Sequence, residues 1–113
     1  MNKQPIQIDG ATLPFYSFQQ DGRAIIEFDS TGHGCPIPMV NAMAGLKHAA
    51  TSGEILHMIN GFEPQGLYAR IEGHFTWTVK VESDKQVRVC FTPVKGRAGE
   101  LDFSNNRCKG GSK

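Results

Sequence analysis

Apolar and polar positions along the 113-residue chain change period several times, and each change marks an element. Ala24 to Phe28 is rich in isoleucine, ends at Asp29 and reads as a strand, with Ser30-Thr31-Gly32-His33-Gly34 as the turn that follows. From Pro36 to about Ala49 the spacing becomes helical: Met39, Met43, Leu46 and Ala50 recur on one face with Val40 beside them, Asn41, Lys47 and His48 face away, and Thr51-Ser52-Gly53 closes the run. Glu54 to Ile59 is nearly continuous in apolar character, as in a strand of a parallel arrangement. Glu63-Pro64 then opens a short second helix: Glu63 is placed to cap it, Leu67, Tyr68 and Ile71 form its inward stripe, and Gly73 ends it.

Strict alternation follows. Phe75, Trp77, Val79 and Val81 alternate with Thr76, Thr78, Lys80 and Glu82; after Ser83-Asp84-Lys85, Val87, Val89 and Phe91 alternate with Arg88, Cys90 and Thr92. This predicts an antiparallel hairpin with one solvated face, with Trp77 in the core and Cys90 on the outward face in a structural role. The order β-α-β-α-β-β predicts an α/β (α+β) two-layer sandwich: a four-stranded mixed sheet with two helices. Residues 1–23 carry only short apolar pieces around Asp9-Gly10 and Asp21-Gly22, and read as an N-terminal arm or a possible extra strand. Residues 24–94 form the domain proper. Residues 95–113 hold five basic and two acidic residues amid glycine, serine and asparagine, and read as a flexible basic tail in which only Leu101 and Phe103 argue for order.

Composition narrows the function classes. A net charge of +1 provides no global field for nucleic acid or a membrane surface, and no apolar run reaches transmembrane or signal-peptide length, so a cytoplasmic protein is expected. Three cysteines, Cys35, Cys90 and Cys108, are too few and too scattered for a disulfide framework. His48, His57 and His74 show no ligand spacing with Cys35, so neither a metal nor a cofactor is expected.

Cys35 is the residue that points to chemistry. It lies in Gly32-His33-Gly34-Cys35-Pro36-Ile37-Pro38, where Pro36 and Pro38 suit a first helical turn, which places the sulfur at the positive end of a helix dipole. Gly34 leaves room for an approaching molecule, and the dipole favours a thiolate. The same prolines remove two amide donors, so any depression of the thiol pKa is moderate. The bland alternative is a cysteine that packs as a small hydrophobe at a helix cap. His33 is placed to hydrogen-bond the sulfur or shuttle its proton, although a solvated turn histidine would look the same. Asp29 and Glu63 are explained as turn and cap residues and stand beside the turn as possible site support. Cys108, on the basic tail, is either incidental or a thiol able to reach Cys35.

Together these residues resemble the TusA/SirA-like sulfur carrier family, small β-α-β-α-β-β proteins marked by a Cys-Pro-x-Pro motif that opens the first helix. The resemblance covers residues 24–94. It rests on Phe28-Asp29, Gly32, Cys35-Pro36-Ile37-Pro38, Gly53-Glu54 and Glu63-Pro64. His33 stands where the family usually has leucine, Gly34 at an often basic position, and Ile37 where glutamate is frequent, which marks a divergent member. The resemblance implies that Cys35 holds sulfane sulfur as a persulfide and passes it on, as sulfurtransferases do, with sulfur donor and acceptor proteins as partners. A non-catalytic binding or regulatory module built on the same helix-start turn is the alternative, and redox sensing through Cys35 and Cys108 a weaker third reading.

Overall fold

The computed structural model describes residues 3–103. Three strands come first: β1 (Gln4–Ile6), β2 (Phe15–Gln20) and β3 (Arg23–Asp29). Gln20 pairs with Arg23, so Asp21-Gly22 is a two-residue hairpin loop. Both of its residues have positive φ, 53° and 77°, the turn whose twist matches flanking strands and which Asp-Gly accommodates at little steric cost. After β3 the chain forms α1 (Ile37–Ser52), β4 (Ile55–Asn60), α2 (Gln65–Ile71), β5 (Phe75–Ser83) and β6 (Gln86–Pro93), then one 3-10 turn at Ala98–Glu100.

All six strands form one mixed sheet in the order β1-β2-β3-β4-β6-β5. Only β3 and β4 are parallel, joined through α1; every other pair is antiparallel. The α+β class expected from the sequence holds, but the sheet has six strands, not four. The N-terminal arm supplies two of them, because the Asp21-Gly22 loop folds β2 back onto the free edge of β3 and β1 then pairs with β2.

Alternation along the strands divides the sheet into two faces. On one face Phe15, Ile26, Phe28, Leu56, Met58, Val89 and Phe91 pack with Met43, Leu46 and Ala49 of α1 and with Leu67 and Ile71 of α2. Gly45 lets α1 sit close: a Cβ there would lie 2.9 Å from Leu56 Cδ1 and 3.0 Å from the Phe15 ring. The helix ends at Gly53, whose φ of 81° is left-handed and whose amide donates to the Ala49 carbonyl at 2.7 Å.

Several side chains depart from the periodic reading. Asn41, expected on the outer face of α1, is fully buried. Its Oδ1 accepts from the Thr12 and Leu13 amides at 2.8 and 3.0 Å, and its Nδ2 donates to Thr12 Oγ1 and to the Ile37 carbonyl. The arm before β2 lies over that side of the helix, a partner that helical period alone does not reveal. Trp77 is half-buried and stacks on Tyr68, with ring centroids 4.6 Å apart and planes at 10°. Val81 at 71% exposure and Val79 at 39% continue the apolar stripe of β5 beyond the reach of the helices. Part of the expected tail is packed: Ala98 is buried, Leu101 and Phe103 lie against the core, and the Phe103 ring meets Phe75 edge to face at 6.4 Å. Residues 104–113, including Cys108, lie outside the described residues.

Candidate functional site

Residues 30–36 join the C-terminal end of β3 to α1, and residues 61–64 leave the C-terminal end of neighbouring β4, so both loops emerge at one edge of the parallel pair. Open α/β sheets characteristically carry sites at such an edge. Ser30 and Asn60 connect the two loops. The buried Ser30 hydroxyl faces the Ile59 carbonyl at 3.1 Å and Asn60 Oδ1 at 2.9 Å, while Asn60 Nδ2 donates to the Phe62 carbonyl at 2.9 Å. Neither residue stands out in the sequence, because a turn serine and a strand-end asparagine are ordinary until the two strand ends are brought side by side.

Cys35 is exposed and precedes α1 by two residues. Pro36 is the cap, Ile37 and Pro38 are the first two helical positions, and the Ile37 amide donates to the Gly34 carbonyl at 3.0 Å. Both prolines therefore occupy helix-start positions, as expected. The Cys35 sulfur is held in a disulfide, so it is not a standing free thiol; the free cysteine among the described residues is Cys90.

The other residues singled out around the turn have local structural roles. His33 is exposed, and its backbone amide donates to the Ser30 carbonyl at 3.0 Å. Asp29 Oδ1 accepts from the Thr31 amide at 2.9 Å, closing the turn. Glu63 does not cap α2: its Oε1 accepts from the Tyr68 hydroxyl at 3.0 Å, and Pro64 holds the cap position without a side-chain bond. Burial and the Glu63 carboxylate both push the Tyr68 phenol above its ordinary pKa.

A second cluster lies on the sheet face opposite the helices. Pro5, Tyr16, Glu27, His57, Cys90 and Thr78 are successive cross-strand partners, one rung running through all six strands. Glu27 is buried and accepts from Lys3 Nζ at 2.7 Å through Oε2 and from Arg88 Nη1 through Oε1. Arg88 is braced on its other side by Glu82, with Nε 3.2 Å from Oε2. Arg88 Nη1 also lies 3.1 Å from His57 Nδ1, and His57 stands beside its cross-strand partner Cys90, which gathers Glu27, Arg88, His57 and Cys90 into one cluster.

These contacts set the charges. Burial raises the Glu27 pKa, but bonds from His57, Lys3 and Arg88 overcome it and hold the carboxyl at about 2. For His57, burial disfavours the imidazolium, while bonds to Cys90 and Glu27 favour it and win over Arg88, so its pKa moves up. Burial pushes the Cys90 thiol up; the His57 bond and charge, supported by Thr78 and Arg88, outweigh this, and the net shift is down. An arginine can only donate, so in the neutral ring Nδ1 accepts from Arg88 and Nε2 carries the proton. In the charged ring Nδ1–H turns toward Glu27 Oε1, 3.8 Å away, and Nε2 is again protonated. With Nδ1 engaged by Arg88 and Glu27, Nε2–H is the ring donor that remains for another partner in both forms.

Alternation along β6 puts Cys90 on the outward face, as expected, but carries no sign of its neighbours His57 and Glu27. Only strand register connects them. No group of three or more His, Cys, Asp or Glu side chains among the described residues is arranged to hold a metal ion. No described helix is long and apolar enough to cross a membrane.

No family model, curated protein or solved structure matches this chain.

Proposed function

We propose that the chain is a one-thiol sulfur carrier of the TusA/SirA-like kind, in which Cys35 receives sulfane sulfur from a donor protein and passes it to an acceptor in the cytoplasm. The observation that carries the reading is the position of Cys35, exposed and two residues before a 16-residue helix at the C-terminal edge of the sheet's one parallel pair. The four-strand core β3-β4-β6-β5 with α1 and α2 also agrees with the β-α-β-α-β-β order that prompted the resemblance. Carriage begins once a thiol reductant opens the Cys35 disulfide by exchange, its own thiols being oxidised to a disulfide as Cys35 is released as a thiol. The thiolate then attacks the outer sulfur of a donor persulfide R–S–SH, forming Cys35–S–SH and releasing RS⁻; the acceptor's thiolate removes that sulfur in the reverse sense.

The test uses reduced protein and a persulfide donor. Intact mass should rise by about 32 Da at Cys35 and stay unchanged in Cys35→Ser, as a site-selective thiolate requires. Equal loading in Cys35→Ser would reject the reading. The Cys35 disulfide favours one second reading, redox regulation at this turn. In that case cycles of reduction and mild oxidation should alter partner binding without persulfide loading.

A further inference from the structure

Beside the Glu27-His57-Cys90 rung the open face of the sheet forms a groove of about 530 Å³. Phe18, Ile25 and Ile55 give it an apolar floor, and Cys90, half-buried, opens into it. Arg23 and Lys80 also line the groove and are exposed. They make no side-chain hydrogen bond or ion pair with other described residues. They bracket it: Lys80 pairs with Arg88, two residues from Cys90 toward one end, and Arg23 begins β3 at the other. Lys3 and Arg88, by contrast, are already committed to Glu27 and Glu82.

We propose that this groove is a second thiol site, in which Cys90 is the nucleophile for thiol–disulfide exchange with a small disulfide carrying a carboxylate at each end. His57 stabilises the sulfur through Nε2–H, and Glu27 and Arg88 are positioning residues that orient the imidazole. Arg23 and Lys80 take the two carboxylates, while the apolar floor takes the carbon chain between them. The site does not depend on Cys35 or on its sulfur chemistry.

The reaction conserves atoms and electrons without a further reagent. The Cys90 thiolate attacks one sulfur of R–S–S–R, a new S–S bond forms, the old one breaks, and RS⁻ leaves to take a proton from water. Acyl transfer fits less well. It needs backbone donors aimed at a developing oxyanion, and around Cys90 the ladders to β4 and β5 occupy both sides of β6. Exchange moves charge from one sulfur to another and needs no such hole. Charged and titratable groups lining the groove with Cys90 are His57 on β4, Arg88 on β6, Lys80 and Glu82 on β5, Glu27 and Arg23 on β3, Asp21 in the β2–β3 loop and Lys3 before β1.

The experiment treats the full-length reduced chain with glutathione disulfide or with neutral bis(2-hydroxyethyl) disulfide, and follows Cys90 mixed disulfide by peptide mapping across pH. With glutathione disulfide at neutral pH, Cys90 should react about tenfold faster in the folded chain than in urea, with its pH midpoint below the ordinary thiol value. His57→Gln should raise that midpoint and slow the neutral-pH reaction by about tenfold. Arg23→Gln with Lys80→Gln should slow glutathione disulfide alone and leave the neutral disulfide unchanged. A folded-state rate no greater than that in urea overturns the proposal without any variant having to fold. So does an unmoved midpoint in His57→Gln, or equal effects of the double variant on both disulfides.

Discussion

His57 and Cys90 are direct cross-strand partners on β4 and β6, and each biases the ionisation of the other, the imidazole toward its charged form and the thiol toward thiolate. Glu27 is the partner of His57 on the opposite side, and Arg88 ties the two together. The open face of the sheet is therefore an ordered electrostatic array, and most of its consequences for stability pass through Glu27.

Acid stability should depend on that carboxylate. Its folded pKa of about 2 lies below the ordinary 4.5, so its stabilisation is present above 4.5 and is lost as pH falls from 4.5 toward 2. The difference is on the order of 3 kcal/mol. Urea unfolding at a series of pH values should show this loss in the native chain and a clearly smaller loss over the same window in Glu27→Gln.

Asn41 holds the N-terminal arm to α1. Asn41→Ala leaves the Thr12 and Leu13 amides without their acceptor and should destabilise the chain by about 2 kcal/mol or more. Lys47→Ala, at an exposed position on the same helix, should change stability by less than about 0.5 kcal/mol. Chemical denaturation of the two variants side by side provides the comparison.

Ser30→Ala removes the hydroxyl between the ends of β3 and β4 and leaves Asn60 Oδ1 facing a methyl group. A loss of about 1–3 kcal/mol should follow. Because this bond links the Cys35 loop to the loop after β4, amide hydrogen exchange in residues 30–36 should rise before global unfolding does.

The Tyr68–Trp77 stack fixes α2 on β5. Tyr68→Leu should cost about 0.5–1.5 kcal/mol beyond its change in buried area and shift the fluorescence of Trp77, the chain's single tryptophan. Glu63→Gln should leave α2 in place, since Glu63 does not cap it, and should return the Tyr68 phenol toward its ordinary pKa in an alkaline titration.

The fold of residues 24–94 was legible because its signals are local. Pro36 and Pro38 start a helix, Gly53 stops one, and the alternation of 75–82 and 87–92 belongs to strands whichever neighbours they find. Boundaries shifted by only a residue or so: the strand expected over Ala24 to Phe28 is Arg23–Asp29, and the one over Glu54 to Ile59 is Ile55–Asn60. The N-terminal arm was harder to read. Its strands are short and mostly exposed, and their identity as strands depends on the edge of β3 being free to receive them.

Chemistry divides along the same line. The sequence by itself determined the Cys35 turn, since neighbouring residues position the sulfur and their types state the geometry. Only the tertiary structure decided that Glu27, His57 and Cys90, roughly thirty residues apart at each step, stand on one rung, and that Asn41 faces inward. The physical reason is that cross-strand contact is set by register and strand order, which arise from burying the opposite face of the sheet and leave no periodic mark on the polar residues they bring together.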